Sequence, residues 1–257
     1  MGKEIWNKMV WSSNQMTLND ILFKLEFDNE EIWELRENSF LLYKPKSMFE
    51  VYEQVFEQLS VDNPNHIIEL GIWDAGSLVY WFERFRPNKL IGIDIKKWEN
   101  NTFFQQYIDQ GSLSDRLKTY WNTNQADSDR LHEIIALEFQ GNVDLIIDDA
   151  SHLYEETKTS FEALFPYLKP NGLYIIEDWA WDHWEDFQNP DHPWFKNKPL
   201  TSICDDIVRL LGSTGSDLIS QISVFQQFIV IKKGQQSLDP RSFRLDDFII
   251  TRQNSKK

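Results

Sequence analysis

The spacing of apolar positions changes once along the chain. Before residue 63 the pattern reads mainly as helix. Met48, Phe49, Val51, Tyr52, Val55, Phe56 and Leu59 recur at spacings of three and four with acids between them, which lays one apolar stripe along a helix. Residues 18–35 are less regular and read as partly helical. Turn chemistry at Val61-Asp62-Asn63-Pro64-Asn65 closes this part. Beyond it come short apolar runs: His66-Ile67-Ile68-Glu69-Leu70, Lys89-Leu90-Ile91-Gly92-Ile93-Asp94, Val143-Asp144-Leu145-Ile146-Ile147-Asp148-Asp149 and Gly172-Leu173-Tyr174-Ile175-Ile176-Glu177-Asp178. Helical stretches at 78–85, 127–137 and 154–168 separate them. Near-continuous apolar strands alternating with helices predict a parallel sheet covered on both faces. Residues 219–224 and 228–232, joined through Gln226-Gln227, predict an antiparallel hairpin. The expected fold is α/β, a doubly wound and mostly parallel sheet with a C-terminal hairpin and an N-terminal helical extension. The expected division is residues 1–62 for the extension and 63–257 for the main domain.

Ligands of such sheets bind where strands end, near the point at which strand order reverses. Three of the four parallel candidates end in acids: Asp94, Asp148-Asp149 and Glu177-Asp178. At the first strand end, Glu69-Leu70-Gly71-Ile72-Trp73-Asp74-Ala75-Gly76-Ser77 opens a helix, with Gly71 for a sharp turn and Gly76 for close helix approach. Asp94 then stands where an acid accepts both hydroxyls of a ribose. Trp73 replaces the glycine that a pyrophosphate would need, so the loop suits a nucleoside without phosphates. S-adenosylmethionine is such a ligand, and Glu69 and Asp74 can face its cationic amino-acid end. Gln125 and Asp127, past a third strand at 118–121, offer amide and carboxylate groups to an adenine edge; Asp127 or Ser128 serves equally as a helix N-cap.

Asp149-Ala150-Ser151-His152 and Glu177-Asp178 bring an imidazole and three carboxylates to two neighbouring strand tips. Carboxylates so placed repel unless a cation or proton intervenes, and oxygen ligands favour a hard ion such as Mg²⁺. An ion of this kind acidifies an alcohol, and His152 could take its proton. Trp179, Trp181, Trp184 and Trp194 crowd the next segment, where His183 and His192 could line an acceptor site.

Composition narrows the partners. The chain has 257 residues and a formal charge of -15, with no local basic patch, so nucleic acid is an unexpected partner. A single cysteine, Cys204, excludes an internal disulfide framework and reads as a core thiol. No apolar run approaches the roughly 20 residues that span a bilayer, and no secretory leader is evident, so a cytoplasmic location is expected.

The stretch from Glu69-Leu70-Gly71-Ile72-Trp73 to Ile93-Asp94 resembles the cofactor half of class I S-adenosylmethionine-dependent methyltransferases. Ile147-Asp148-Asp149-Ala150-Ser151-His152, Thr157, Phe161, Leu164-Phe165-Pro166, Leu168, Pro170-Asn171-Gly172 and Tyr174-Ile175-Ile176-Glu177-Asp178 are more specific. They resemble the metal-dependent macrolide sugar O-methyltransferases (mycinamicin 2''-O-methyltransferase type) and related cephalosporin-hydroxylase-like proteins. The resemblance covers roughly residues 62–235 and implies a Rossmann-like sheet of seven strands. It implies Asp149, Glu177 and Asp178 as magnesium ligands and His152 as general base. Glu69, Gly71 and Asp94 match cofactor contacts, and Gln125, Asp127 and Asp148 fall in with them. Asn171 replaces the first glycine of the family's Pro-Gly-Gly turn, a mild change because Asn tolerates left-handed geometry. The family's macrolide members carry a sizeable N-terminal domain, so acceptor and quaternary structure do not follow from the likeness.

The expected function is Mg²⁺-dependent transfer of a methyl group from S-adenosylmethionine to a hydroxyl of a sugar-bearing macrolide or polyketide-type natural product. In it His152 deprotonates the metal-bound acceptor oxygen. The expected partners are that small molecule and, as an option, further copies of the chain, with no nucleic acid and no membrane. Two alternatives remain: hydroxylation or another non-methyl transfer on the same fold, and a non-catalytic partner-binding module.

Overall fold

The computed structural model describes residues 9–12, 14–25, 39–61, 63–96 and 102–251. After the turn at 63–65 the chain alternates as its pattern predicts. The order is β5 (His66–Leu70), α2 (Gly76–Phe85), β6 (Lys89–Ile93), α3 (Thr102–Gly111), β7 (Leu117–Tyr120), α4 (Ser128–Phe139), β8 (Val143–Asp148), α5 (Tyr154–Leu164) and β9 (Leu168–Glu177). Helix α6 (Thr201–Thr214) leads to the hairpin β10 (Ile219–Val224) and β11 (Phe228–Lys233). One seven-stranded sheet results, in the order β10-β11-β9-β8-β5-β6-β7. Strands β9, β8, β5, β6 and β7 are mutually parallel, while β11 runs antiparallel to both β9 and β10. The doubly wound, mostly parallel sheet and its C-terminal hairpin are therefore as expected.

Period-two alternation splits the strands between two apolar layers. Ile67, Leu145, Ile147, Leu173, Ile175 and Val230 face one layer with α2 and α3. Ile68, Leu70, Ile146, Tyr174, Ile176 and Ile229 face the other with α4, α5 and α6. Asn171 takes φ 68, the left-handed geometry anticipated for the altered turn.

The N-terminal part departs from its helical reading. Helix α1 (Lys46–Leu59) is present where the stripe of apolar residues placed it. Ahead of it lie strands β1 (Val10–Ser12), β2 (Gln15–Leu18), β3 (Ile21–Leu25) and β4 (Phe40–Leu42), forming a sheet in that order. Residues 18–25 are thus a hairpin rather than a helix, and 26–35 lie outside the described residues. The physical reason is local. Asn19 and Asp20 both adopt positive φ (49° and 66°), the two-residue turn that suits the twist of antiparallel strands. Around it Met16, Leu18, Phe23 and Leu25 alternate inward and are buried.

This small sheet and α1 pack on the α2 face of the large one. A Cβ on Gly76 would lie 1.8 Å from the Leu41 carbonyl oxygen, so β4 can cross the start of α2 only because that residue is glycine. A buried bidentate pair, Arg84 Nε and Nη2 to the two Glu53 carboxylate oxygens at 2.6 and 2.7 Å, ties α1 to α2.

Candidate active site

Strand order reverses between β8 and β6, on either side of β5, and the strand tips there almost touch. Gly71 sits at φ 78, donates its N–H to the Ile93 carbonyl at 2.8 Å, and faces the Asp149 backbone so closely that a Cβ would lie 2.0 Å from its oxygen. Any side chain at this position would push β5 and β8 apart. Asp94 fixes the loop that follows, because its Oδ2 accepts from the N–H groups of Ile72 (3.0 Å) and Trp73 (2.9 Å). Its Oδ1 accepts from the Lys96 N–H at 2.8 Å.

A cavity of about 700 Å³ opens at this reversal. Gly71, Ile72, Trp73, Gly76, Ser77, Asp94, Ile95 and Lys96, from the tips of β5 and β6, line it. Asp149, Ala150, His152, Glu177 and Asp178, from the tips of β8 and β9, line it as well. The loop after β5 and the acidic strand tips, separate in sequence, therefore share one chamber. Its third wall is N-terminal: Leu41, Leu42, Tyr43, Lys44, Pro45 and Met48.

At the acidic strand tips, one ligand atom each from Asp149, His152 and Asp178 lie within 4.8 Å of one another. His152 Nε2 stands 3.9 Å from Asp149 Oδ1. His152 and Asp178 both hold positive φ (56° and 50°), uncommon for residues with side chains. Surrounding bonds hold them there. Trp181 Nε1 donates to the His152 carbonyl at 2.6 Å, and the Asp178 N–H donates to the Gln227 carbonyl at 2.7 Å.

Glu177 is turned to the other side of Asp149. Its Oε1 accepts from the Tyr52 hydroxyl at 2.6 Å, and its Oε2 accepts from Lys44 Nζ. Lys44 Nζ also donates to Asp149 Oδ2 at 2.6 Å, so one ammonium bridges the tips of β8 and β9. Burial pushes the pKa values of Asp149, Glu177 and Asp178 upward. Lys44 opposes this for Asp149 and Glu177, and the His152 side chain opposes it for Asp149 and Asp178. Burial would lower the Lys44 pKa, but the charges of Asp149 and Glu177 outweigh it and hold the ammonium protonated. Three carboxylates crowd one ammonium, so the cluster favours the arrival of a further cation. The oxygen-rich donor set fits a hard ion.

Other sequence candidates lie outside the cavity wall. Asp148 is buried and accepts from Ser160 Oγ (2.6 Å), Tyr174 Oη (2.9 Å) and Gln125 Nε2 (3.2 Å). Gln125 in turn accepts the Ser151 N–H at 2.7 Å, so it braces the segment that leads to His152. Asp127 caps α4 by accepting the Arg130 N–H at 3.1 Å. Glu69 is fully buried behind the loop, where Trp81 Nε1 donates to it at 3.0 Å; burial pushes its pKa up to about 8. In the Trp-rich segment His183 bonds the Thr201 hydroxyl (3.1 Å) and His192 packs on Phe187 (4.6 Å between ring centres). Trp184, not either histidine, lines the chamber.

Lys44 and Tyr52 escaped sequence reading. Tyr52 falls within the apolar stripe of α1 and is indistinguishable there from core. Lys44 looks like any lysine before a helix. Only the β4–α1 chain path, invisible without the hairpin, directs both at Glu177.

Strand order, the antiparallel last-but-one position of β11 and the cavity at the reversal define the fold of a class I methyltransferase. Residues 68–179 match the family model described as a methyltransferase domain, so the resemblance holds over that stretch. Among curated proteins the chain is similar to demethylmacrocin O-methyltransferase of Streptomyces fradiae, with 33% identity over 134 residues, 49% of this chain and 30% of that protein. It is likewise similar to mycinamicin VI 2''-O-methyltransferase of Micromonospora griseorubida, with 31% identity over 135 residues, again 49% of this chain and 30% of that protein. Among solved structures, MycE methyltransferase from the mycinamycin biosynthetic pathway, in complex with Mg, SAH and mycinamycin VI, aligns with a TM-score of 0.54 and 25% identity. That alignment covers 79% of this chain and 51% of MycE. The chain thus spans about a third of the curated relatives and half of the solved one.

Proposed function

We propose that the chain is an S-adenosylmethionine-dependent, Mg²⁺-dependent O-methyltransferase whose acceptor is a hydroxyl on the sugar of a macrolide or polyketide-type natural product. The observation that carries the reading is the shared chamber, whose wall joins the Asp149, His152 and Asp178 cluster to the loop around Gly71 and to Asp94. The relatives above are named as O-methyltransferases of demethylmacrocin and mycinamicin VI, and the solved one holds Mg, SAH and mycinamycin VI, which supports the same kinds of ligand here.

In this reading Gly71, Ile72 and Trp73 receive the nucleoside and Asp94 its ribose. The acidic chamber favours a sulfonium cation over neutral nucleosides. Asp149 and Asp178, with Glu177 behind them, would hold the ion. A bound divalent ion supplies Lewis acidity that makes an alcohol ionisable near neutral pH. His152 accepts the hydroxyl proton at Nε2, the nitrogen that faces Asp149. The oxygen takes the methyl carbon, the carbon–sulfur bond breaks toward sulfur, and S-adenosylhomocysteine leaves. Trp184, part of the wall and 41% exposed, offers an aromatic face to the acceptor ring.

The test is S-adenosylhomocysteine formation from S-adenosylmethionine with a panel of glycosylated macrolides and aromatic polyketides bearing free sugar hydroxyls. One equivalent per methyl ether, lost on adding EDTA and regained with Mg²⁺, is the expected result. Methylation that proceeds undiminished in EDTA would defeat the metal reading.

A further inference from the structure

We propose that Lys44 is a resident cation of the acidic cluster and sets how tightly the site holds a divalent ion, an inference that rests on the metal reading above. The argument begins with delivery. Lys44 stands just before α1 and Tyr52 lies within the same helix, so one N-terminal element sends an ammonium and a phenol to the same carboxylate, Glu177. The ammonium does not stop there. It reaches across to Asp149 Oδ2, the carboxylate whose other oxygen faces His152. Lys44 is only 5% exposed, so water does little to screen its charge.

Lys44 also lines the cavity beside Asp149, Glu177 and Asp178. An ion entering to bind them must therefore displace the ammonium or share Asp149 with it. In both cases the positive charge works against the ion while it keeps the carboxylates together without one. Tyr52 differs, since it is a neutral donor that orients Glu177 and leaves the charge balance unchanged. The pair thus separates two roles that one salt bridge would merge: charge from Lys44 and orientation from Tyr52.

The experiment titrates Mn²⁺ into the metal-stripped full chain, followed by the paramagnetic resonance of free Mn²⁺, for wild type, Lys44→Met, Lys44→Gln and Tyr52→Phe. Lys44→Gln removes the charge and keeps a donor, so it serves where the methionine variant does not fold. Both Lys44 variants are expected to bind Mn²⁺ about tenfold or more tightly than wild type. Tyr52→Phe is expected to stay within about threefold of wild type. Mn²⁺ should also raise the melting temperature of the Lys44 variants more than that of wild type. Unchanged or weaker binding by the Lys44 variants, with wild type binding normally, would overturn the proposal and leave the metal reading standing. Equal tightening by Tyr52→Phe would overturn it as well, because release of Glu177 rather than charge would then be the cause. Binding by the Lys44 variants alone supports it in its strongest form. No binding by any of the four proteins would remove the metal reading and this proposal together.

Discussion

Asp148 and Asp149 are neighbours in the chain and opposites in circumstance. Asp148 ends β8 within the sheet, and its partners are all neutral: Ser160, Tyr174 and Gln125. Asp149 lies one residue beyond, where the strand has opened, and faces the Lys44 ammonium, His152 and the chamber. The side-chain alternation of an extended chain explains the split, since consecutive residues point to opposite faces. A carboxylate surrounded by hydroxyl and amide donors is a fastener; one that faces a cation and an imidazole can bind and react. Glu69 stands between the two, bonded to the neutral indole of Trp81 yet within the field of the Lys44 ammonium.

Breaking Asp149 should have the largest effect on turnover. Asp149→Asn is expected to abolish methyl transfer while S-adenosylmethionine still binds, as measured by calorimetry with the folded variant. His152→Ala should lower kcat by about 10²–10⁴, the usual cost of losing a general base, with cofactor affinity retained. If His152→Ala instead weakened Mn²⁺ binding in parallel with turnover, its role would be that of a ligand.

For Asp148 the expected loss is stability. Asp148→Ala removes the carboxylate that Ser160, Tyr174 and Gln125 share and leaves them only their longer bonds to Thr157 and Ser160, at a cost of about 2–4 kcal/mol. For a chain of this length that corresponds to a melting point lower by roughly 5–15 °C. Cofactor affinity of the folded fraction should be unchanged; a drop in affinity at constant melting point would return Asp148 to the cofactor site. Glu69 sharpens the comparison through pH. Its folded pKa is raised from 4.5 to about 8, so the native state binds the proton more tightly than the unfolded chain does. Stability from this group is therefore greatest below the ordinary carboxylate range and falls as pH rises to about 8. Glu69→Gln, which keeps an acceptor for Trp81, should flatten that part of the melting-temperature profile and gain on wild type toward alkaline pH.

How much of this was legible in the sequence depended on whether the signal was local. The parallel strands announced themselves through apolar runs, and their tips through acids, because burial on both faces and solvent at the ends act on each strand separately. The β2–β3 hairpin is equally local, with Asn19-Asp20 between alternating apolar residues, but strands this short carry too few alternations to stand out from an irregular helical pattern. Lys44 is different in kind. Nothing within several residues of it records that Glu177, 133 positions away, lies against its ammonium. The contact exists only once the small sheet has docked on α2. Conversely, Gln125 and Asp148 stand at the strand end where the sequence offers them to a ligand, but their side chains bond each other, Ser151, Ser160 and Tyr174, because sequence gives the strand end and not the direction of the side chain.

Asp127 separates those two assignments at the smallest scale. As an N-cap its carboxylate satisfies the Arg130 N–H and favours the positive end of the α4 dipole. Asp127→Ala should then cost about 1 kcal/mol, a melting point lower by only about 2–4 °C. Asp127→Ser, which can still cap, should recover most of it. Neither variant should alter the affinity for S-adenosylmethionine or adenosine. An adenine contact predicts the reverse: weaker nucleoside binding in both variants, with serine no better than alanine because a hydroxyl at this distance from the chamber replaces the cap but not the carboxylate. The serine variant thus decides between the fastener and the ligand contact, even though the alanine variant alone would lower activity at elevated temperature under both.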